Sequence, residues 1–152
     1  MPDLASHLLV QTILDRIPPF RKYAPFTLLG AAAPDLAKGL IRWVSPTQAW
    51  WFYPFHSPLY MLIACYALSL LFQAEERGLV VWGGFIGVLI HIGLDVLQIN
   101  YVSYYMPFFP FSFRSVALNV FSTEASLKWL LILPAIAVTA FVCDKKVMSR
   151  RG

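Results

Sequence analysis

Charge is scarce in this sequence. Asp, Glu, Lys and Arg fill 13% of 152 positions, where a soluble domain gives them about a quarter. Apolar residues reach 59%, and the mean hydropathy is +0.64. A soluble core built from a chain of this length could not cover so much apolar surface, so lipid is the expected solvent for much of it. Cysteine is nearly missing. Cys65 and Cys143 both sit in apolar runs; a disulfide framework needs more cysteines in a loop-rich chain, and these two read as buried thiols. The basic region of a cleavable signal peptide is missing too, since residues 1–17 carry acids at both ends, Asp3 and Asp15. The net charge is +4. The basic residues do not form a stripe, which argues against nucleic acid as a partner. They stand at the ends of apolar runs, as topology signals and lipid-headgroup contacts do.

What is present is a series of long apolar stretches. We expect one integral-membrane domain over 1–152, all-α, a polytopic transmembrane bundle of about four or five helices, because helices are the only non-barrel way to satisfy the backbone in lipid. Three stretches read clearly as spans: Ser57 to Gln73, Leu79 to Val102 and Ser126 to Cys143, each near or above the roughly 20 residues that cross the hydrocarbon core. Leu4 to Ile17 is shorter, starts at a possible Asp3 cap and is closed by Pro18-Pro19. Tyr23 to Val44 is long enough but contains Pro34, Asp35 and Lys38, and reads as a broken or interfacial helix. The uncharged aromatic loops 45–55 and 103–113 suit the membrane boundary. Lys145, Lys146, Arg150 and Arg151 follow the last stretch, which predicts a cytoplasmic C-terminus in an inner, multi-pass membrane protein.

Against this background the polar residues stand out. The only histidines are His7, His56 and His91. Asp3 precedes His7 by four residues and Asp95 follows His91 by four, a spacing that stacks two side chains on one helical face. Gln98 continues the second stripe, and Gly84 and Gly87 extend it with small residues. Asp35 ends the small-residue run Gly30-Ala31-Ala32-Ala33-Pro34, and His56 stands before Ser57-Pro58. With alternating helix directions, a rise of about 1.5 Å per residue puts all six between mid-bilayer and the outer surface. Ionisable groups at such depth are costly and usually functional. Three imidazoles and three carboxylates are ordinary ligands for Zn²⁺, Mn²⁺ or Fe²⁺, and a divalent ion offsets the burial of the acids. Taken singly, each also has a plain reading: a helix cap, an interfacial histidine, a helix–helix hydrogen bond.

The set resembles the membrane-bound metal-dependent hydrolases of bacteria and archaea, which include LexA-binding, inner-membrane-associated members. The family opens with Asp-x-x-Thr/Ser-His, here Asp3 to His7. It continues with a small-residue run ending in Pro-Asp (Pro34-Asp35), His-Ser before a membrane helix (His56-Ser57), His-x3-Asp (His91 to Asp95) and Pro-Phe-Ser (Pro110-Phe111-Ser112). Order and spacing match up to about residue 130. More distantly, His-x3-Asp is similar to the helix pair of zinc-dependent phospholipases C. The chain departs from the pattern where Leu36-Ala37-Lys38 replaces a further Asp and His, and where Trp51 replaces a His. Nothing in the chain reads as a LexA-docking motif, so that partner is not carried over.

The resemblance implies that Asp3, His7, Asp35, His56, His91 and Asp95 bind a divalent metal, with zinc first and manganese or iron as other ions such donors take. The expected activity is hydrolysis of a phosphoester or lipid ester by a metal-activated water, with Asp35, Asp95 or Glu124 as catalytic carboxylates. Glu124 falls where members carry an acid after the aromatic loop. Lys38 and Arg42 are expected to hold a substrate phosphate, and the substrate to be a small molecule or a membrane lipid such as a phospholipid. The alternatives are a non-enzymatic metal carrier, sensor or chaperone-like protein, and a structural polar core without metal.

Overall fold

Proline opens the helices. In this computed structural model, which describes residues 4–45, 47, 53–99, 106–122 and 132, proline occupies the first turn of α2 (Pro18–Arg21), α3 (Ala24–Val44) and α4 (Pro58–Ser69). Its missing N–H costs nothing there, and its fixed φ suits the helix. Before α2 comes α1 (Leu4–Leu14) and after α4 comes α5 (Ala74–Leu97). A 3₁₀ turn, Pro54–His56, precedes α4. Among the described residues the chain is therefore all-helical, with one isolated bridge between Gln98 and Phe121. Asp3, Glu124, Cys143, the C-terminal basic residues and the stretch Ser126 to Cys143 lie outside the described residues. Cys65 is a buried free thiol.

Three elements differ from the expectation. Helix α4, expected as a span from Ser57 to Gln73, is 12 residues long, too short to cross a bilayer. The stretch 23–44 is one unbroken helix of 21 residues that runs through Pro34. Pro34 removes one bond to the Gly30 carbonyl and its ring crowds that carbonyl, but the residue is fully buried, and enclosure by neighbouring helices is how such a break is tolerated in lipid. Helix α5 starts five residues earlier than expected. Glu75 and Glu76 fall in its first turn, where acids are favoured by the positive end of the helix dipole. Among the described residues α5 is the one helix long and apolar enough to cross a membrane; α1 and α4 are apolar but shorter.

Helix α5 packs along α3 and α4, and α1 lies against α3. Glycine sets how close α3 and α5 come. A Cβ at Gly30 would overlap the Gly84 carbonyl, and one at Gly87 would overlap the Thr27 carbonyl and the Ala31 amide. Small residues spaced by four are the usual way that helices approach each other in lipid. The core beside this contact is Met61, Cys65, Val88 and Ile92. The outward faces are also apolar: Leu36, Leu40 and Trp43 on α3, and Leu59, Ile63 and Tyr66 on α4, are all exposed.

The end of α5 is closed by a returning segment. The N–H groups of Leu118 and Val120 donate to the carbonyls of Val96 and Leu97 at 2.7 Å each, and Ile99 N–H donates to the Phe121 carbonyl at 2.8 Å. These bonds satisfy carbonyls that a helix C-terminus leaves without partners. The Ser57 hydroxyl donates to the Phe109 carbonyl at 2.6 Å, and Phe109 stacks on Tyr60. Segment 106–122 is thereby fastened to both α4 and α5.

The glycine contact can be tested. Gly87→Ala should lower stability in detergent by about 1–3 kcal/mol, the usual cost of overpacking, read as a drop in melting temperature. Gly39→Ala, inside α3 but where a Cβ would meet open space, should hold stability or raise it by up to about 1 kcal/mol.

Candidate metal centre

The α3–α5 approach positions the first histidine. His91 Nδ1–H donates to the Ala31 carbonyl at 2.7 Å across the two helices. A carbonyl can only accept, so the proton sits on Nδ1 and the lone pair on Nε2. That nitrogen is buried without a hydrogen bond. An imidazole fixed in this way by a backbone carbonyl is the usual outer support of a metal-ligating histidine.

Around His91 the structure gathers four more of the predicted residues. Asp95, one turn on, places Oδ2 3.4 Å from His91 Nε2 and 3.5 Å from His56 Nε2. Its Oδ1 is 3.5 Å from His7 Nε2, and His7 Nδ1 is 3.8 Å from Asp35 Oδ2. The His7 and His91 rings stack with centroids 4.0 Å apart, and His56 is tilted against His91 at 5.6 Å. All three histidines and Asp95 are at most 3% exposed. Asp35 is 12% exposed, so one edge of the cluster reaches the surface. The elements responsible are α1 for His7, α3 for Asp35, the 3₁₀ turn for His56 and α5 for His91 and Asp95.

These separations are longer than N–H···O hydrogen bonds, which fall at 2.7–3.2 Å. They match the edges of a tetrahedron of donors drawn about 2.0–2.1 Å from an ion, which are roughly 3.4 Å. Two donor sets lie within 4.8 Å internally: His56, His91 and Asp95, and His7, Asp35 and His91. Both use His91, which has a single lone pair to give. The nitrogen and oxygen donors, the orphaned His7 and His91 nitrogens and the spacing together fit one divalent ion.

The remaining predicted residues lie apart. Lys38 is buried on α3, three residues beyond Asp35, and Arg42 is exposed one turn further along. Neither forms an ion pair with the cluster among the described residues. Asp3 and Glu124 are outside them. Gln98, named as continuing the His91–Asp95 stripe, is fully buried.

Sequence reasoning missed a second buried carboxylate. Asp15 accepts from Gln11 Nε2 at 2.8 Å, and the Thr27 hydroxyl lies 2.8 Å from both its oxygens. His7, Gln11 and Asp15 stand on successive turns along the chain and all are buried. The signal was available: a polar residue every fourth position from His7 marks one face. Ala31, which contributes only its carbonyl, left no signal of type.

These features define a helical membrane protein with one buried histidine–aspartate centre. The chain belongs to the YdjM inner membrane protein family, whose model matches residues 4–149. No curated protein and no solved structure matches it.

Thr27→Val keeps the shape of the side chain and strips a hydrogen bond from a buried carboxylate. It should cost about 2 kcal/mol, in the range for bonds to charged groups, read as a lowered melting temperature of the detergent-purified protein.

Proposed function

We propose that this chain is a multi-pass inner-membrane hydrolase that uses one divalent metal ion, zinc first and manganese or iron next, to cleave a phosphoester or lipid ester. One observation carries the reading: His56, His91 and Asp95, all buried and drawn from two separate elements, bring one ligand atom each to within 4.8 Å of one another, the convergence of nitrogen and oxygen donors that a divalent ion requires.

His56 Nε2, His91 Nε2 and Asp95 Oδ2 would hold the ion, with His7 and Asp35 completing its surroundings. When bound, the ion supplies Lewis acidity, which makes a water acidic near neutral pH and polarises an ester oxygen. Asp35 has the one partly exposed carboxylate of the centre and is placed to take a proton from water arriving at that edge. Asp95 lies against three imidazoles and serves to bind and orient. Lys38, one turn along α3, is a buried cation available to a phosphate oxygen, and exposed Arg42 reaches a headgroup at the surface. Segment 106–122 limits water on the α5 side. The apolar outer face of α3 supports more than one crossing of the bilayer. The basic tail after residue 144 supports a cytoplasmic C-terminus.

Elemental analysis of detergent-purified protein tests the centre. The expected content is about one ion per chain, lost in His91→Ala and Asp95→Ala. Metal-dependent turnover across a panel of phosphoesters and lipid esters should vanish in the same variants. Lys38→Ala should raise KM about tenfold for phosphorylated substrates while metal content holds. Metal without turnover assigns a carrier or sensor; no metal after metal-replete expression leaves a structural polar core and ends the hydrolase reading.

A further inference from the structure

A cavity of about 80 Å³ lies between α3, α4 and α5, half open to the outside. Phe26 and Leu29 of α3, Met61, Cys65 and Leu68 of α4, and Val80 of α5 form most of its wall. No wall residue offers a charged or amide group. Water needs two to four polar partners to stay in such a space, so water is a poor occupant. The volume is about half that of a cavity that takes a benzene ring; it is too small to enclose a ring, and through its open mouth it admits a few methylenes of a longer chain.

The mouth has a definite setting. Leu29, on its rim, is 45% exposed, and Leu36, Ile63 and Tyr66 continue the apolar surface on both sides. In a bilayer, acyl chains are what such a mouth meets. The cavity is also aligned with the metal centre. On α5 its residues Val80 and Gly84 precede His91 and Asp95; on α3 Phe26 to Ala33 precede Asp35; on α4, running the opposite way, Met61 to Leu68 follow His56. On all three helices the cavity lies on the same side of the centre. From Gly84 to His91 is seven residues, about 10 Å along the axis, a separation that a glycerol backbone and its ester linkage bridge.

We propose that this cavity binds one acyl chain of the lipid whose headgroup is presented to the metal centre, making the substrate class an acyl-bearing phospholipid rather than a soluble phosphoester. The inference rests on the hydrolase reading for the identity of the lipid as substrate, but its test reads binding alone.

The full chain is purified in detergent and photolysed with a phosphatidylglycerol analogue bearing a diazirine within one acyl chain, and adducts are mapped by peptide mass spectrometry. Adducts should concentrate on Leu29, Met61 and Leu68 at several times their yield on outward-facing Leu36 and Ile63. Unlabelled phosphatidylglycerol should compete them away. Ala64→Trp, at a residue that lines the cavity, should abolish them, while Ala67→Trp, equally exposed but not in the lining, should not. If Ala64→Trp does not fold, competition on the wild type decides. Adducts spread evenly over Leu29, Leu36, Met61 and Ile63, or unaffected by unlabelled lipid, overturn the proposal. Equal cavity labelling by a diazirine fatty acid without a headgroup overturns the link to the centre. Saturable cavity adducts in a protein that hydrolyses nothing uphold the binding site and remove the hydrolase reading; turnover with evenly spread adducts does the reverse.

Discussion

Two helices can offer a histidine ring on one to a backbone carbonyl on the other only if their axes come closer than large side chains allow. Here Gly30 and Gly87 remove the obstruction, since a Cβ at either would overlap the facing backbone. The His91–Ala31 bond follows from this contact. So does the direction of His91 Nε2, and with it the place where His56, His7 and Asp95 converge. The site is thus a consequence of helix packing first and of donor chemistry second.

The electrostatics of the centre are unusual beside the rest of the molecule. Asp15 accepts hydrogen bonds from two neutral partners at 2.8 Å. Asp95 and Asp35 instead lie 3.4–3.8 Å from imidazole nitrogens. Asp95 is buried and Asp35 is 12% exposed, and carboxylates so placed are stabilised by a nearby positive charge. The proposed divalent cation would supply that charge to both.

Much of this centre was legible because helical periodicity is a strong signal. His91 and Asp95 at four residues, Asp35 after a run of small residues and His56 before a proline-started helix each fixed a face or an end. The structure brings those residues into one cluster. Three features were not legible. The backbone acceptor for His91 has no side-chain signature. The Asp15–Thr27 contact joins residues on different helices, so no local pattern encodes it. The continuity of α3 through Pro34 depends on the enclosure of that residue by its neighbours, whereas the sequence alone shows a residue that ordinarily breaks helices. Hydropathy alone starts α5 at Leu79, because Glu75 and Glu76 in its first turn are favoured by the helix N-terminus and not by apolar periodicity.

Helix α3 shows why average hydropathy understates the membrane character of such a chain. Its length, 21 residues, is enough for a crossing, yet it is not among the helices apolar enough to count as a span by composition. The residues that lower its average include Pro34, Asp35 and Lys38, which are buried or largely covered, and Arg42, which is exposed in the last turn. Those on its other face, Leu36, Leu40 and Trp43, are exposed and apolar. This reverses the arrangement of a soluble amphipathic helix, which turns its apolar stripe to the core. A helix that carries part of a buried polar centre must lose hydropathy in proportion to what it contributes. The face presented outward, rather than the mean over the helix, therefore decides what solvent it was built for. On that criterion the outward faces of α3 and α4 are apolar, while α5 is the one described helix both long and apolar enough to cross a membrane.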